Sequence, residues 1–388
     1  MEGRGDNVVH EMVAMLLAGG EAQADLGILS DGNIISTTSF GGKYRIIDFA
    51  LSNCNNSGIE SVNLLKNYVG TAAAVCNELN YLEEKNPEYV LIVDGAHIYK
   101  MNYRLMLKEH IKKGADVTVA GLPLCAREAK RFGIMYTDDN GMIYRFDNKA
   151  NEHKMALASM GVYIFSWKVL REILVDLKGY PGLEFGRHVL PYCLWRGKRI
   201  ASYKYNGYWR DINNLKDYWD ANMDLVNEVS NLNLYEEFRK VYSNDRRRMP
   251  QYISGKGVTK RAVIGSSCEI YGEVTGSVIG SDVVIEEGAV VKDSIIMDGT
   301  YIGKNTIINK GIVADGCTIG SECFIGAGDD ISSNAQGGYH SGLVAVGAGS
   351  VIPSYVTIGR DTVIMGRTSR EDYSNGKLPS GRYMVKDR

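Results

Sequence analysis

Over the first two hundred residues, apolar positions come in short unbroken runs separated by polar or amphipathic stretches. Residues 13–18, 61–65, 89–93, 117–120 and 161–165 each read as a strand buried on both faces. Residues 104–113 form one of the amphipathic stretches between them. This alternation predicts an α/β domain, a sheet with helices on both sides. From Asn214 to about Ser243 the composition turns helical, and Arg246-Arg247-Arg248 before Pro250 closes a linker over 214–250.

Beyond Pro250 the period changes to about six. Ile279, Ile285, Val291, Met297, Ile302, Ile308, Val313, Ile319 and Ile325 follow one another, and Val346, Ile352, Ile358 and Ile364 resume the series. Glycine follows several of them. That pattern predicts a parallel β-helix of hexapeptide repeats, in which each unit forms one face of a triangular coil. The aliphatic side chain points to the axis, and the glycine beside it is expected to let the chain turn the corner. Residues 326–342 break the period and read as a loop. The predicted division is 1–213, 214–250, 251–366 and a charged, fraying tail over 367–388.

Glycine supports two domains built on different rules, because 21 of the 44 glycines fall between Gly255 and Gly366. Charge is nearly balanced at -2, which argues against general attraction to nucleic acid or anionic membrane. Seven cysteines without a CxxC pair read as reduced thiols of a cytoplasmic protein. Neither a secretion leader nor an 18-residue apolar window is seen, so no membrane partner is expected.

The stretches MLLAGG (15–20), FGGKYRIIDFALSNCNNSGI (40–59), PEYVLI (87–92), HIYKMNY (97–103), RFGIM (131–135), ASMGVYIF (158–165) and GYWRDI (207–212) carry a resemblance. With the β-helix, they make the chain resemble the bacterial glucose-1-phosphate adenylyltransferases (ADP-glucose pyrophosphorylases) over most of its length. The resemblance implies a Rossmann-like nucleotidyltransferase sheet domain followed by a left-handed parallel β-helix. It also implies a magnesium-dependent reaction of ATP with glucose 1-phosphate, and a β-helix that serves tetramer assembly and allosteric control. Carried over by motif, Gly19 and Gly20 belong to the nucleotide loop, and Tyr68, Gly70 and Thr71 to the nucleotide segment. Gly133, Lys149, Ser159, Gly161, Glu184 and Arg187 fall on the sugar-phosphate side, and Asp211 is a metal carboxylate. Lys43 and Arg45 are effector candidates for a sugar phosphate, with interface salt bridges as the alternative reading.

This chemistry needs a cationic cradle for the phosphates, carboxylates for magnesium, and contacts that aim the sugar phosphate in line. Against those needs the sequence departs from the family. From Ala18 to Gly42 it has Glu21, Asp25 and Asp31 and no base, where the family has a glycine-rich, cation-bearing loop. The family's first metal carboxylate sits in Gly-Asp-His-Ile-Tyr, and here Ala96 occupies its position between Gly95 and His97. Asp94, two residues upstream, is expected about 6–7 Å back along the strand. Lys149 is retained without its acidic neighbour, and Arg187 replaces a lysine, a change of geometry as well as size. A stretch of several tens of residues is missing where Leu65-Lys66-Asn67-Tyr68 joins two family motifs directly.

These departures lead to the expectation of a catalytically impaired subunit, a homo- or hetero-oligomer, most naturally a tetramer with a catalytic paralogue. Two further readings stay open: an active enzyme making ADP-glucose, and a binding protein that senses sugar phosphates. A hexapeptide acyltransferase is disfavoured, since His340 is the only histidine of the repeat region and lies in the irregular segment.

Overall fold

The computed structural model describes residues 12–19, 26–29, 35–66, 68–129, 131–147, 155–227, 232–244, 249–328 and 341–386. The chain forms two compact units. The first takes in residues up to 21, 49–209 and 235–241; the second takes in 22–48, 210–234 and 242–388.

The first unit is built on one sheet. Its strands lie in the order Ile200–Lys204, Val117–Leu124, Ala156–Ser166, Tyr89–Asp94, Met12–Leu17, Ser61–Leu65. Met12–Leu17 runs parallel to both its neighbours, and Val117–Leu124 is parallel to Ile200–Lys204. All five apolar runs are strands, and the amphipathic stretch is the helix Tyr103–Lys112. Asn102 caps that helix by accepting the Arg104 N–H. One feature is not legible in an apolar run: Ala156–Ser166 lies antiparallel to both Tyr89–Asp94 and Val117–Leu124. Side chains alternate as a sheet covered on both faces demands. Val13, Met15, Leu17, Val90 and Ile92 join one core, while Ala14, Leu16, Leu91 and Val93 are buried toward the other face.

The second unit is the β-helix. Three parallel sheets run along it, and Ile279, Ile285 and Val291 each belong to an inward row on one of them. Over the central coils each residue stacks on one 17 positions further on, as in Val274–Val291–Ile308 and Ile285–Ile302–Ile319. Two sides of the triangle therefore take six residues and the third takes five. The period-six reading slips at that short side: Ile296, not Met297, is the core residue stacked on Ile279. The glycines that follow the inward residues also have another cause than the one expected. A Cβ on Gly303 would stand 2.6 Å from the Gly320 carbonyl carbon of the next coil, and one on Gly280 would stand 2.6 Å from Asp298 N. They are close-approach glycines; the left-handed corner positions fall elsewhere, at residues such as Gly299, Gly316 and Asn305.

Two further expectations differ from the structure. Residues 367–388 were expected to fray, but Lys377–Leu378 and Tyr383–Val385 pair with the last coil and extend the β-helix past 366. The helical linker shrinks to Leu215–Met223, capped by Asn214. In the described part beyond it, turns replace the helix. The expected loop at 326–342 lies largely outside the described residues, and the coil resumes with Val344–Val346.

The sheet that begins with Val263–Ile264 carries a second apolar row facing outward: Val278, Ile295, Ile312, Ala345 and Val363, all at most 3% exposed. Parts of the same unit pack along this side. Trp219 Nε1 donates to the Asp293 carbonyl, Ile28 O accepts from Ala348 N, and Gly42 abuts Ile279 O so closely that its Cβ would come within 2.6 Å. Residues 22–48 thus group with the β-helix and not with the N-terminal sheet, in contrast to the linear division read from the sequence.

Candidate functional site

In the first unit the candidate residues gather at the carboxyl ends of the parallel strands, the usual place for a ligand crevice in such sheets. Backbone hydrogen bonds tie those ends together. Gly95 N donates to Leu17 O (2.8 Å), Ala18 N to Leu65 O (2.9 Å) and Tyr68 N to Gly19 O (3.3 Å). The nucleotide-loop Gly19, the nucleotide-segment Tyr68 and the turn after Asp94 are therefore neighbours.

On one side of this edge lies the turn at Asp94. The antiparallel strand is irregular between Ser159 and Tyr163, and there Gly161 takes φ +69°. A Cβ on Gly161 would stand 3.3 Å from His97 Cε1 and 3.9 Å from Asp94 Cβ. The glycine thus lets this strand lie against the Asp94–His97 turn. Ser159 N donates to Gly133 O (2.8 Å), which places Gly133 beside it. The Trp209 ring stands edge-on to His97 (5.4 Å) and to Phe132 (4.9 Å) and closes the cluster.

On the other side, Gly70 (φ +86°) passes so close to residues 182–183 that a Cβ would meet the Gly182 carbonyl carbon at 2.6 Å. The Thr71 hydroxyl accepts from Phe185 N (3.1 Å), and the Leu183 carbonyl accepts from Ala72 N and Ala73 N. Thr71, expected to face a nucleotide, is engaged in holding the loop that carries Glu184. Glu184 N donates to His188 Nδ1 (3.0 Å), and the Arg187 side chain is exposed. Tyr163 links the two sides. Its ring lies 5.6 Å from Phe185, and burial pushes its phenol up to about 12, with Asp94 and Glu184 adding to the shift. Neither Tyr163 nor Phe132 stands out in the sequence: they lie within ASMGVYIF and RFGIM, where an aromatic residue inside a strand pattern reads first as core.

The metal position shows a clear departure from expectation. Asp94 is not held back along the strand, because its Oδ1 accepts the N–H of Ala96 at 2.8 Å. The carboxylate curls forward over the turn, close to where a residue-96 side chain would begin. Asp211 lies in the second unit, and its Oδ2 accepts from Asn213 Nδ2. Ala96 offers no ligand, both acids are engaged by neighbouring donors, and no group of three His, Cys, Asp or Glu suited to a metal occurs among the described residues. Ala96 thus leaves the first of the two carboxylate positions that the resemblance implies without an oxygen ligand.

Lys43 and Arg45 line a cavity of about 170 Å³ in the second unit, with Ser39, Asp48, Ser281 and Asp298. Arg45 is paired there: Asp48 Oδ1 accepts from its guanidinium (2.8 Å) and Asp48 Oδ2 from its backbone N–H (2.9 Å). Lys149 and Gly20 lie outside the described residues. No helix among the described residues is long and apolar enough to cross a membrane.

Comparison with known proteins agrees with this geometry. Residues 61–228 match the family model "Nucleotidyl transferase", and 254–368 match "GMPPB C-terminal domain". The fold and the strand-end site thus define a nucleotidyltransferase with an appended β-helix. The chain is 46% identical to a glucose-1-phosphate adenylyltransferase of Lachnospira eligens, with 97% of this chain and 98% of the relative covered. It is 36% identical to that of Acetivibrio thermocellus over the same shares, and 40% identical to that of Bacillus cereus, covering 74% of this chain and 87% of the relative. The chain belongs to the glucose-1-phosphate adenylyltransferase family. The Lachnospira alignment runs over 416 positions, more than the 388 residues of the chain, so at least 28 positions of the relative have no residue opposite them here.

Proposed function

We propose that the chain is a catalytically impaired member of its family. It would serve ADP-glucose synthesis for glycogen as a regulatory or structural subunit beside a catalytic paralogue, in the cytoplasm. The observation that carries this reading is the turn at Ala96. The metal-carboxylate position holds a methyl group, and one oxygen of Asp94, the carboxylate two residues upstream, accepts the Ala96 N–H. The acid-rich, base-free sequence between Ala18 and Gly42 supports it, since a triphosphate meets negative charge where it needs positive. Losing one such electrostatic contact costs on the order of 10²–10³ in rate. The effector role proposed for this chain rests on the Lys43 and Arg45 cavity, a size that admits one phosphate group of a sugar phosphate.

The deciding experiment assays the purified chain for ADP-glucose formation from ATP and glucose 1-phosphate with magnesium. Turnover should be at least about a hundredfold below that of a catalytic relative under the same conditions. Turnover equal to that relative overturns the proposal. The other reading, an active enzyme, is favoured by the near full-length identity to named glucose-1-phosphate adenylyltransferases. It requires Asp211→Ala to abolish a measurable activity.

A further inference from the structure

A cavity of about 730 Å³ opens in the first unit, within the range of small-molecule sites. Val13, Ser61 and Tyr89 on its wall lie at the starts of three adjacent parallel strands. The cavity is therefore at the opposite ends of those strands from Gly19, Tyr68 and Asp94, and the site described above does not use it.

Its wall is cationic. Lys85 and Lys168 both line it, and neither has a carboxylate within ion-pairing distance among the described residues; Lys85 has only the Tyr81 ring, at 6.0 Å. Elsewhere in this unit Lys100 and Lys198 each pair with a glutamate at 2.6–2.7 Å. Glu88, also on the wall, is engaged by the Tyr89 hydroxyl at 2.9 Å. The helix Trp167–Asp176 starts at the same wall. Its N-cap Ser166 is turned inward, between His110 Nε2 (3.2 Å) and the Ala115 carbonyl (3.5 Å), and does not cap the first turn. The positive end of the helix adds to the two ammonium groups. Tyr89 supplies aromatic surface beside them.

We propose that this cavity binds a small phosphorylated metabolite, a sugar phosphate or a nucleoside monophosphate, which Lys85 and Lys168 hold through its phosphate. The cavity volume and the two ammonium groups without a carboxylate carry the assignment; the helix start only adds to it. It stands whether or not the Asp94 site is catalytic, because the two sites share no residue.

The test is lysine acylation of the full chain, read by mass spectrometry, with AMP or glucose 6-phosphate as probe. The control is Lys112, whose side chain is 76% exposed on another helix. One probe or the other should slow acylation at Lys85 and Lys168 together by about tenfold, as charge-assisted contacts of ordinary strength require, and leave Lys112 unchanged. Protection by AMP assigns a nucleotide and protection by glucose 6-phosphate a sugar phosphate. Both lysines are exposed, so Lys168→Glu should leave the fold intact and abolish protection at Lys85. The proposal is overturned if neither probe protects at about 10 mM, which would fill a site of millimolar affinity, or if Lys85 stays protected in Lys168→Glu.

Discussion

Asp94 and Ala96 show how far one turn can redirect a carboxylate. From spacing alone Asp94 belongs on the strand, too far back to replace a ligand at position 96. The hydrogen bond from Ala96 N bends the side chain forward and at the same time occupies one of its oxygens. Such local side-chain bonds depend on the turn geometry, which spacing does not encode. Gly161 was legible as a motif residue, but its reason was not: the left-handed φ and the contact with His97 appear only in three dimensions. Gly161→Ala should lower stability by about 1–3 kcal/mol in urea titration, the cost of strain at a positive φ. A second residue-scale prediction concerns His110, 1% exposed, with Nδ1 on Thr118 Oγ1 at 2.8 Å and its ring edge-on to Tyr89. Burial lowers its pKa from 6.5 to about 4, against a smaller opposing pull from Asp116. The fold holds the neutral ring, so this contribution is complete above pH 6.5 and is lost as pH falls toward 4, on the order of a few kcal/mol in all. In His110→Gln the urea midpoint should fall less steeply across that window; an unchanged slope would remove His110 as the cause.

At the scale of elements, the strands of the sheet were readable because a continuous apolar run has few other homes in an α/β domain. The direction of Ala156–Ser166 was not, since apolar runs carry no sign of parallel or antiparallel pairing. In the β-helix the repeat was obvious, while the short side of each coil was hidden by adjacent aliphatic residues: Ile295, Ile296 and Met297 are all buried, and any of them satisfies a loose period of six. Two glycine substitutions separate the two demands on that residue. Gly349 has φ +68° with open space around its Cβ position, so Gly349→Ala should cost about 1 kcal/mol, and Gly349→Asn less. Gly303 faces backbone at 2.6 Å, so Gly303→Ala has to push two coils apart and should cost at least about 2 kcal/mol. Denaturant titration of the two variants side by side checks the order, and equal effects would contradict the close-approach assignment.

At the scale of the whole molecule, family membership was legible from seven motifs, while the unit boundaries were not. Sequence divides a chain linearly, but residues 22–48 and 210–234 group with the β-helix across a long separation. The outward row of Val278, Ile295, Ile312, Ala345 and Val363 has its cover among those earlier segments. A fragment of residues 251–388 should therefore expose a continuous apolar stripe, bind a hydrophobic dye strongly and aggregate, whereas the full chain does neither. A monodisperse fragment without dye binding would show that the stripe needs no cover.

The central coils also impose a counting rule on the gene. Because each residue stacks on one 17 positions ahead, removal or duplication of 17 codons preserves every inward row, whereas removal of a single hexad puts the short side out of step with the coils above. Length variation among descendants of this sequence should then come in whole coils, or as insertions within a coil like the one between Val313 and Val346, where the step is 33 residues, 16 beyond a full coil. The repeat that looks like six is inherited in units of 17.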